Sequence, residues 1–210
     1  MKPVPGHWFF DLDGTLLDTA GDVVGSWKKT IADLGLECPR FDEVFRMGPS
    51  INDIARVLFP GRADIDSLIA AIRSRFAENY DTGGFPTTVP YPGIESWLER
   101  LKSSGAKLYI ASNKRIAPTK MLVRKMGWER LFDGIYTSDM HPPEVVKKPI
   151  FLARALKELG IGGAQAIMVG DTSGDIEAGK ANGMYTIGVS WGYATDRHEF
   201  DSADEVIDHA

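Results

Sequence analysis

The sequence predicts an α/β protein, a Rossmann-like parallel sheet with helices on both faces and an inserted, wholly helical subdomain. Three observations carry this. An apolar run at His7–Phe10 stops abruptly at two carboxylates, Asp11 and Asp13; the stretch that follows, as far as Tyr80, repeats apolar residues only at helical spacing; and from Gly93 onward strand-like and helix-like segments alternate. The expected division is 1–17 with 86–210 for the α/β core and 18–85 for the helical insert.

His7, Trp8, Phe9 and Phe10 have the texture of a fully buried strand, which Gly14 breaks, so the strand is expected to end at Asp11. Val23, Val24, Trp27, Ile31 and Leu34 then recur at spacings of three and four, and Gly35 stands where that helix closes. A second helix is expected from Ser50 to Phe59, with Ser50 and Asp53 as cap and N3 partner and Pro60-Gly61 as terminator. A third runs from Asp64 to Tyr80 on Ile65, Leu68, Ile69, Ile72 and Phe76. No strand is expected between 18 and 80, and Asp81–Pro92, with Gly83-Gly84 and three prolines, reads as a linker.

Beyond the linker, helices at Ile94–Lys102, Pro118–Met126, Pro149–Leu159 and Asp175–Asn182 alternate with strands at Lys107–Ala111, Gly134–Thr137, Ala166–Val169 and Tyr185–Val189. Strands separated by helices of about ten residues imply βαβ units. A last strand is expected around Val206-Ile207, with no final helix before the chain ends at Ala210.

Composition bounds the function. At 210 residues with 43% apolar and 25% charged residues, the chain supports one substantial core with one insert. A net charge of -5 argues against nucleic acid or an anionic membrane as partner. Cys38 is the only cysteine, which excludes an intrachain disulfide and a thiolate cluster and fits a cytoplasmic location. There is no signal-like apolar segment at the N-terminus and no apolar run long enough to span a membrane. No pattern specifies an oligomeric state.

A parallel sheet gathers its strand-end residues into one crevice. Here those residues are Asp11 and Asp13 after the first strand, Ser112 and Asn113 after Lys107–Ala111, and Gly170-Asp171 after Ala166–Val169, with Asp175 at a helix start and Lys147-Lys148-Pro149 opening another helix. Each has an ordinary use: Asp-x-Asp-Gly as a turn, Ser112 as a cap, the lysines as a solvated pair, Asp175 as a first-turn acid. An EF-hand loop starting at Asp11 fails, because Leu16 and Asp22 occupy positions that need Gly and Glu. Two carboxylates about 4 Å apart repel by roughly 4 kcal/mol at an effective dielectric near 20, so Asp11 and Asp13 call for a proton or a cation.

The four motifs together, Asp-x-Asp-Gly-Thr at 11–15, Ser112, Lys148 before Pro149, and Gly-Asp-x-x-x-Asp at 170–175, resemble those of the haloacid dehalogenase superfamily. The likeness spans Trp8 to about Gly192, the helical insert is similar to that superfamily's first-position cap, and Gly188–Tyr193 resembles the segment after the last motif in phosphoglycolate phosphatase-like members. Ser112 departs from the threonine of many members but keeps the hydroxyl.

The resemblance implies a Mg²⁺-dependent phosphatase of a small phosphorylated metabolite, phosphoglycolate first among them, working through an aspartyl-phosphate. In that reading Asp11 is the nucleophile and Asp13 the general acid and base. Asp13 also sets the chain apart from the dehalogenating members, which lack a second aspartate. Ser112, Asn113 and Lys148 meet the phosphoryl oxygens; Gly14 admits the phosphate and Thr15 orients the loop. Asp11, the Asp13 carbonyl and Asp171 are hard-oxygen ligands for Mg²⁺, and Asp175 is a ligand or holds a metal-bound water. With no cysteine or histidine beside the motifs, zinc fits poorly. Arg46, in the break Arg46–Ser50, is the insert residue expected to meet a substrate anion. Within the same chemistry a nucleoside monophosphatase, a pyrophosphatase or a sugar-phosphate mutase stays open, and outside it an idle phospholigand-binding module, against which the intact set of Asp11, Asp13, Ser112, Lys148 and Asp171 argues.

Overall fold

A run of aromatic residues that buries both faces has to lie inside a sheet, and His7–Phe10 (β1) is central in the computed structural model, which describes residues 6–142 and 144–210. The start of the chain, Met1–Pro5, on which the expected lack of a signal segment partly rests, lies outside the described residues. In chain order the elements are β1, β2 (Leu17–Asp18), α1 (Ala20–Asp33), α2 (Phe41–Val44), α3 (Ile51–Leu58), α4 (Ile65–Thr82), β3 (Val89–Pro90), α5 (Ile94–Ser103), β4 (Lys107–Ser112), α6 (Ile116–Lys125), β5 (Gly134–Thr137), α7 (Lys148–Leu159), β6 (Ala166–Gly170), α8 (Ser173–Ala181), β7 (Tyr185–Val189) and β8 (Glu205–Ile207). Among the described residues no helix is long and apolar enough to cross a membrane.

The chain divides into two compact units, Met1–Asp18 with Val89–Ala210, and Thr19–Thr88. The first holds a six-stranded sheet in the order β5-β4-β1-β6-β7-β8, parallel throughout. Alternate residues of β1 serve opposite faces. Phe9 joins Tyr109, Tyr136, Phe151, Leu152 and Met168 in the layer beneath α7 and α8. Trp8 and Phe10 meet Trp97 of α5 edge-on, with ring centroids 6.0 and 5.3 Å apart. Helices thus cover both faces. The strand order reverses at β1, the switch point at which open α/β sheets bind ligands.

The second unit is helical. Trp27 of α1 packs on Phe45 and Phe76 (centroids 6.2 and 5.4 Å), and Phe76 stacks on Tyr80. The expected capping pair is present: the Asp53 N–H donates to Ser50 Oγ (3.3 Å) and Ser50 Oγ to Asp53 Oδ2 (2.6 Å). Gly35, at φ +62°, closes α1.

Several details differ from the sequence expectation, among them the start of α6 at Ile116 and the end of the second unit at Thr88 rather than at 85. β1 ends at Phe10, although the Asp11 N–H still donates to Val169 O at 2.9 Å. Asp18 is not helical but pairs in β2 with Val89 of β3, so the expected linker holds a two-residue strand as well as the last two residues of α4. Two residues are too few to display a period. The four-residue α2, anchored by buried Phe41, escaped for the same reason. α8 begins at Ser173 rather than Asp175, because Thr172 caps it and Asp175 is its third residue.

Candidate active site

The three central strands β4, β1 and β6 end side by side, and each delivers a polar residue there: Ser112, Asp11 just past β1, and Asp171 just past β6. All three are buried. The helix that returns to β6 starts at Lys148, and the one that leaves it carries Asp175; both are also buried.

Lys148 is the hub. Its Nζ donates to Asp11 Oδ1 at 2.6 Å and to Asp175 Oδ1. The other Asp175 oxygen accepts from the Thr172 N–H (3.1 Å) and Oγ1 (2.8 Å), so both of its oxygens already have protein donors. Asp171 is held from two sides, by Thr15 Oγ1 on Oδ1 (3.0 Å) and by the Tyr193 N–H on Oδ2 (2.7 Å). The backbone makes room for this. Gly14 sits at φ +87°, where a Cβ would lie 2.0 Å from Asp171 Oδ2, and a Cβ on Gly192 would lie 2.2 Å from Asp171 Cβ.

Burial with a single lysine leaves the carboxylates undercompensated. Asp11 is raised well above the usual carboxylate range by burial, which Lys148 opposes and Asp175, Asp171 and Asp13 reinforce. Asp171 is pushed up to about 7, again by burial first and then by Asp175. Burial works to lower Lys148, but Asp11 and Asp175 together hold it above the usual lysine value. One oxygen from each of Asp11, Asp171 and Asp175 lies within 4.8 Å of the others. Three buried carboxylates against one ammonium, with oxygen donors only, fit a hard divalent cation.

The other expected site residues are placed as follows. Asp13 is partly exposed, and its Oδ2 lies 3.1 Å from Lys114 Nζ. Ser112 Oγ accepts the Lys114 N–H at 3.1 Å. Asn113 is exposed at the end of β4, and its carbonyl accepts from Ser138 Oγ (3.2 Å). Thr15 is fully buried with its hydroxyl directed at Asp171. Arg46 belongs to the other unit, is exposed, and donates to the carbonyls of Glu43 (2.9 Å) and Phe45 (2.7 Å).

Sequence reasoning missed Lys114, Thr172, Trp191 and Tyr193. Lys114 follows Ser112-Asn113 directly, and a basic residue so close to a strand end was the available signal. Trp191 and Tyr193 stood in a segment noted only for its likeness; in the structure Trp191 Nε1 donates to Thr15 O (3.0 Å) and Tyr193 OH to Asp18 Oδ1 (3.0 Å).

Fold and site together define the class, a Rossmann-like α/β protein with an acidic, lysine-paired centre at the switch point of its sheet. The sequence model of the haloacid dehalogenase-like hydrolases matches residues 8–189, and the chain belongs to that family. It is an enzyme of the phosphoric monoester hydrolase type. It is 35% identical to a phosphoglycolate phosphatase of Aquifex aeolicus over 88% of this chain and 84% of the relative. Among solved structures, a haloacid dehalogenase-like family hydrolase from Streptococcus pneumoniae superimposes with TM-score 0.79 at 25% identity, over 96% of this chain and 92% of that one. The protein CbbY of Rhodobacter sphaeroides, solved in complex with xylulose-(1,5)bisphosphate, superimposes with TM-score 0.77 at 25% identity, over 97% of this chain and 94% of that one.

Proposed function

We propose that the protein is a Mg²⁺-dependent phosphatase that hydrolyses a small phosphorylated metabolite, phosphoglycolate first among the candidates, through an aspartyl-phosphate on Asp11. The observation that carries this reading is the buried group of Asp11, Asp171 and Asp175, two of which pair with the Lys148 ammonium. The 35% identity to a phosphoglycolate phosphatase supports the choice of substrate.

In this reading an Asp11 carboxylate oxygen attacks phosphorus and the bond to the ester oxygen breaks. Asp13 gives a proton to the leaving alkoxide. It then takes one from the water that attacks the acyl phosphate, which frees inorganic phosphate and restores Asp11. Lys148 opposes the burial that raises Asp11, so it favours the ionised carboxylate, and it orients that group. The Ser112 hydroxyl and Asn113 amide donate to phosphoryl oxygens as charge moves onto them, and the absence of a Cβ at Gly14 lets backbone approach them. Thr15 acts on Asp171 rather than on the ester, since its hydroxyl is already directed there. Asp11, the Asp13 carbonyl and Asp171 would hold Mg²⁺, which when bound offsets the carboxylates and draws charge from the phosphoryl group. Asp175, with both oxygens engaged, is assigned to holding Lys148 and the start of α8 in place.

Selection of the substrate is assigned to the Thr19–Thr88 unit as a cap, with Arg46 its anion-binding residue. A cytoplasmic location and the absence of nucleic-acid and membrane partners belong to the same reading.

The test is phosphate release from phosphoglycolate and a panel of nucleoside monophosphates, sugar mono- and bisphosphates and pyrophosphate, with kcat/KM measured with Mg²⁺ and with chelator. Mg²⁺-dependent turnover that is abolished in Asp11→Asn, with the fold intact, is expected. Near-normal turnover by Asp11→Asn would sink the mechanism, and a higher kcat/KM on another class would displace phosphoglycolate.

A further inference from the structure

The chain passes out of the sheet unit at Leu17–Asp18 and returns to it at Val89–Pro90, and these two segments pair antiparallel, Leu17 with Pro90 and Asp18 with Val89. The Tyr91 N–H extends the ladder by donating to Leu16 O at 3.1 Å. This ribbon is the junction through which the Thr19–Thr88 segment is attached.

One residue outside the ribbon joins it to the acidic edge. Tyr193, in the loop after β7, donates its backbone N–H to Asp171 Oδ2 at 2.7 Å and its phenolic hydroxyl to Asp18 Oδ1 at 3.0 Å. The neighbouring Trp191 sits 6.4 Å from the Tyr91 ring, centroid to centroid, and donates its indole N–H to Thr15 O at 3.0 Å, while Thr15 Oγ1 donates to the other Asp171 oxygen. Both Asp171 oxygens are therefore fixed by groups that are themselves fixed to the ribbon or to the turn before it. A carboxylate restrained in this way keeps its orientation only while its donors keep theirs.

We infer that Tyr193 is a positioning residue that couples the junction ribbon to Asp171, with its phenol anchored on Asp18 and its N–H setting the Asp171 carboxylate for cation binding. The inference rests on the proposed metal site and goes beyond it. It makes cation affinity depend on a hydrogen bond to the ribbon, made by a residue that does not ligate the cation.

The experiment is direct titration of Mn²⁺ as a probe of the divalent site, followed by its paramagnetic resonance signal, on the 210-residue chain and its variants without substrate. Tyr193→Phe keeps the ring and loses the phenol donor; it is expected to bind Mn²⁺ about tenfold more weakly, as loss of outer partners of metal ligands does. Asp18→Ala is expected to match it. Asp18→Asn, which retains an acceptor, is expected to recover most of the affinity. The double variant Tyr193→Phe with Asp18→Ala is expected to lose clearly less than the sum of the two single losses, because the bond between Tyr193 and Asp18 is shared by both. Ser190→Ala, which removes the nearby Ser190 Oγ to Asp208 Oδ1 hydrogen bond of the same loop, is expected to bind like the parent and separates this coupling from general loosening.

Parent-like affinity in Tyr193→Phe, or additive losses in the double variant, overturns the coupling. Failure of the parent protein itself to bind Mn²⁺ overturns the metal reading instead, so the two outcomes are distinct.

Discussion

Lys148 holds Asp11 with its ammonium 2.6 Å from Oδ1, joining the first residue of α7 to the residue that follows β1. Both are buried, so this is an ion pair in which each member stabilises a charge the other could not carry alone. Lys148→Met is expected to leave Asp11 and Asp175 without their shared cation, to cost about 3–5 kcal/mol of stability, and to remove turnover. Denaturant unfolding in chelator and phosphate release with Mg²⁺ check the two effects; unchanged stability would mean that the pair is not formed in solution.

Asp13 has a different environment, partly exposed with Lys114 Nζ at 3.1 Å. In its proposed role as the acid for the leaving group it would matter most where the departing oxygen is strongly basic. Asp13→Asn is expected to lower kcat on alkyl phosphates by roughly 10²–10⁴-fold, and to slow phosphoryl transfer from p-nitrophenyl phosphate much less, since nitrophenolate leaves unprotonated. Equal losses of that first step on both substrates, read as the burst of nitrophenol and of alcohol, would place Asp13 elsewhere in the mechanism.

Two glycines with positive φ separate a site requirement from a backbone one. At Gly14 an added Cβ meets Asp171 Oδ2 at 2.0 Å, whereas at Gly35 it meets nothing within 4 Å. Gly35→Ala is expected to cost about 1–2 kcal/mol with turnover retained. Gly14→Ala is expected to displace Asp171 and abolish Mg²⁺-dependent turnover. Thermal melts and activity on the two variants make the comparison; an active Gly14→Ala protein would contradict the close approach.

Asp22, in the first turn of α1, accepts from the Thr88 N–H (2.8 Å) and Oγ1 (2.6 Å) and from the Thr87 N–H. Burial alone would raise its carboxyl, but these donors outweigh it and hold the pKa below the usual value. A lowered folded-state pKa contributes stability that is present above the unfolded value, about 3.9, and is lost as pH falls through the folded one. Asp22→Asn is therefore expected to be less stable than the parent at pH 7, by roughly 1 kcal/mol for a carboxylate that stays partly in solvent, and the gap is expected to close as the pH falls through the lowered folded-state value. Melting curves from pH 7 down to 2 test the sign; a gap that widens in acid would refute it.

The parallel sheet was readable because its strands and helices carry long, repeated signals: the segments expected between Ile94 and Val189 match the observed elements to within about two residues. The acidic centre was readable because a parallel sheet collects strand ends at one edge, so Asp11, Ser112 and Asp171 converge on order alone. The ribbon and α2 were not readable, since two- and four-residue elements owe their conformation to partners distant in the chain. The contact of Tyr193 was hidden for a related reason. The Asp18 partner of Tyr193 lies 175 positions away, and nothing in either neighbourhood signals the other.

The short pairing of Leu17–Asp18 with Val89–Pro90 has a consequence for how such a chain diversifies. It pins together the two ends of a long excursion, so that from the sheet's side the excursion is one closed hairpin whatever its length, and closure entropy grows only slowly with that length. Exchanging the Thr19–Thr88 segment for another closed on the same two strands would leave the order of the six strands, and the chemistry at their ends, untouched. The ribbon is thus a natural graft point, at which one excursion can replace another without rebuilding the sheet.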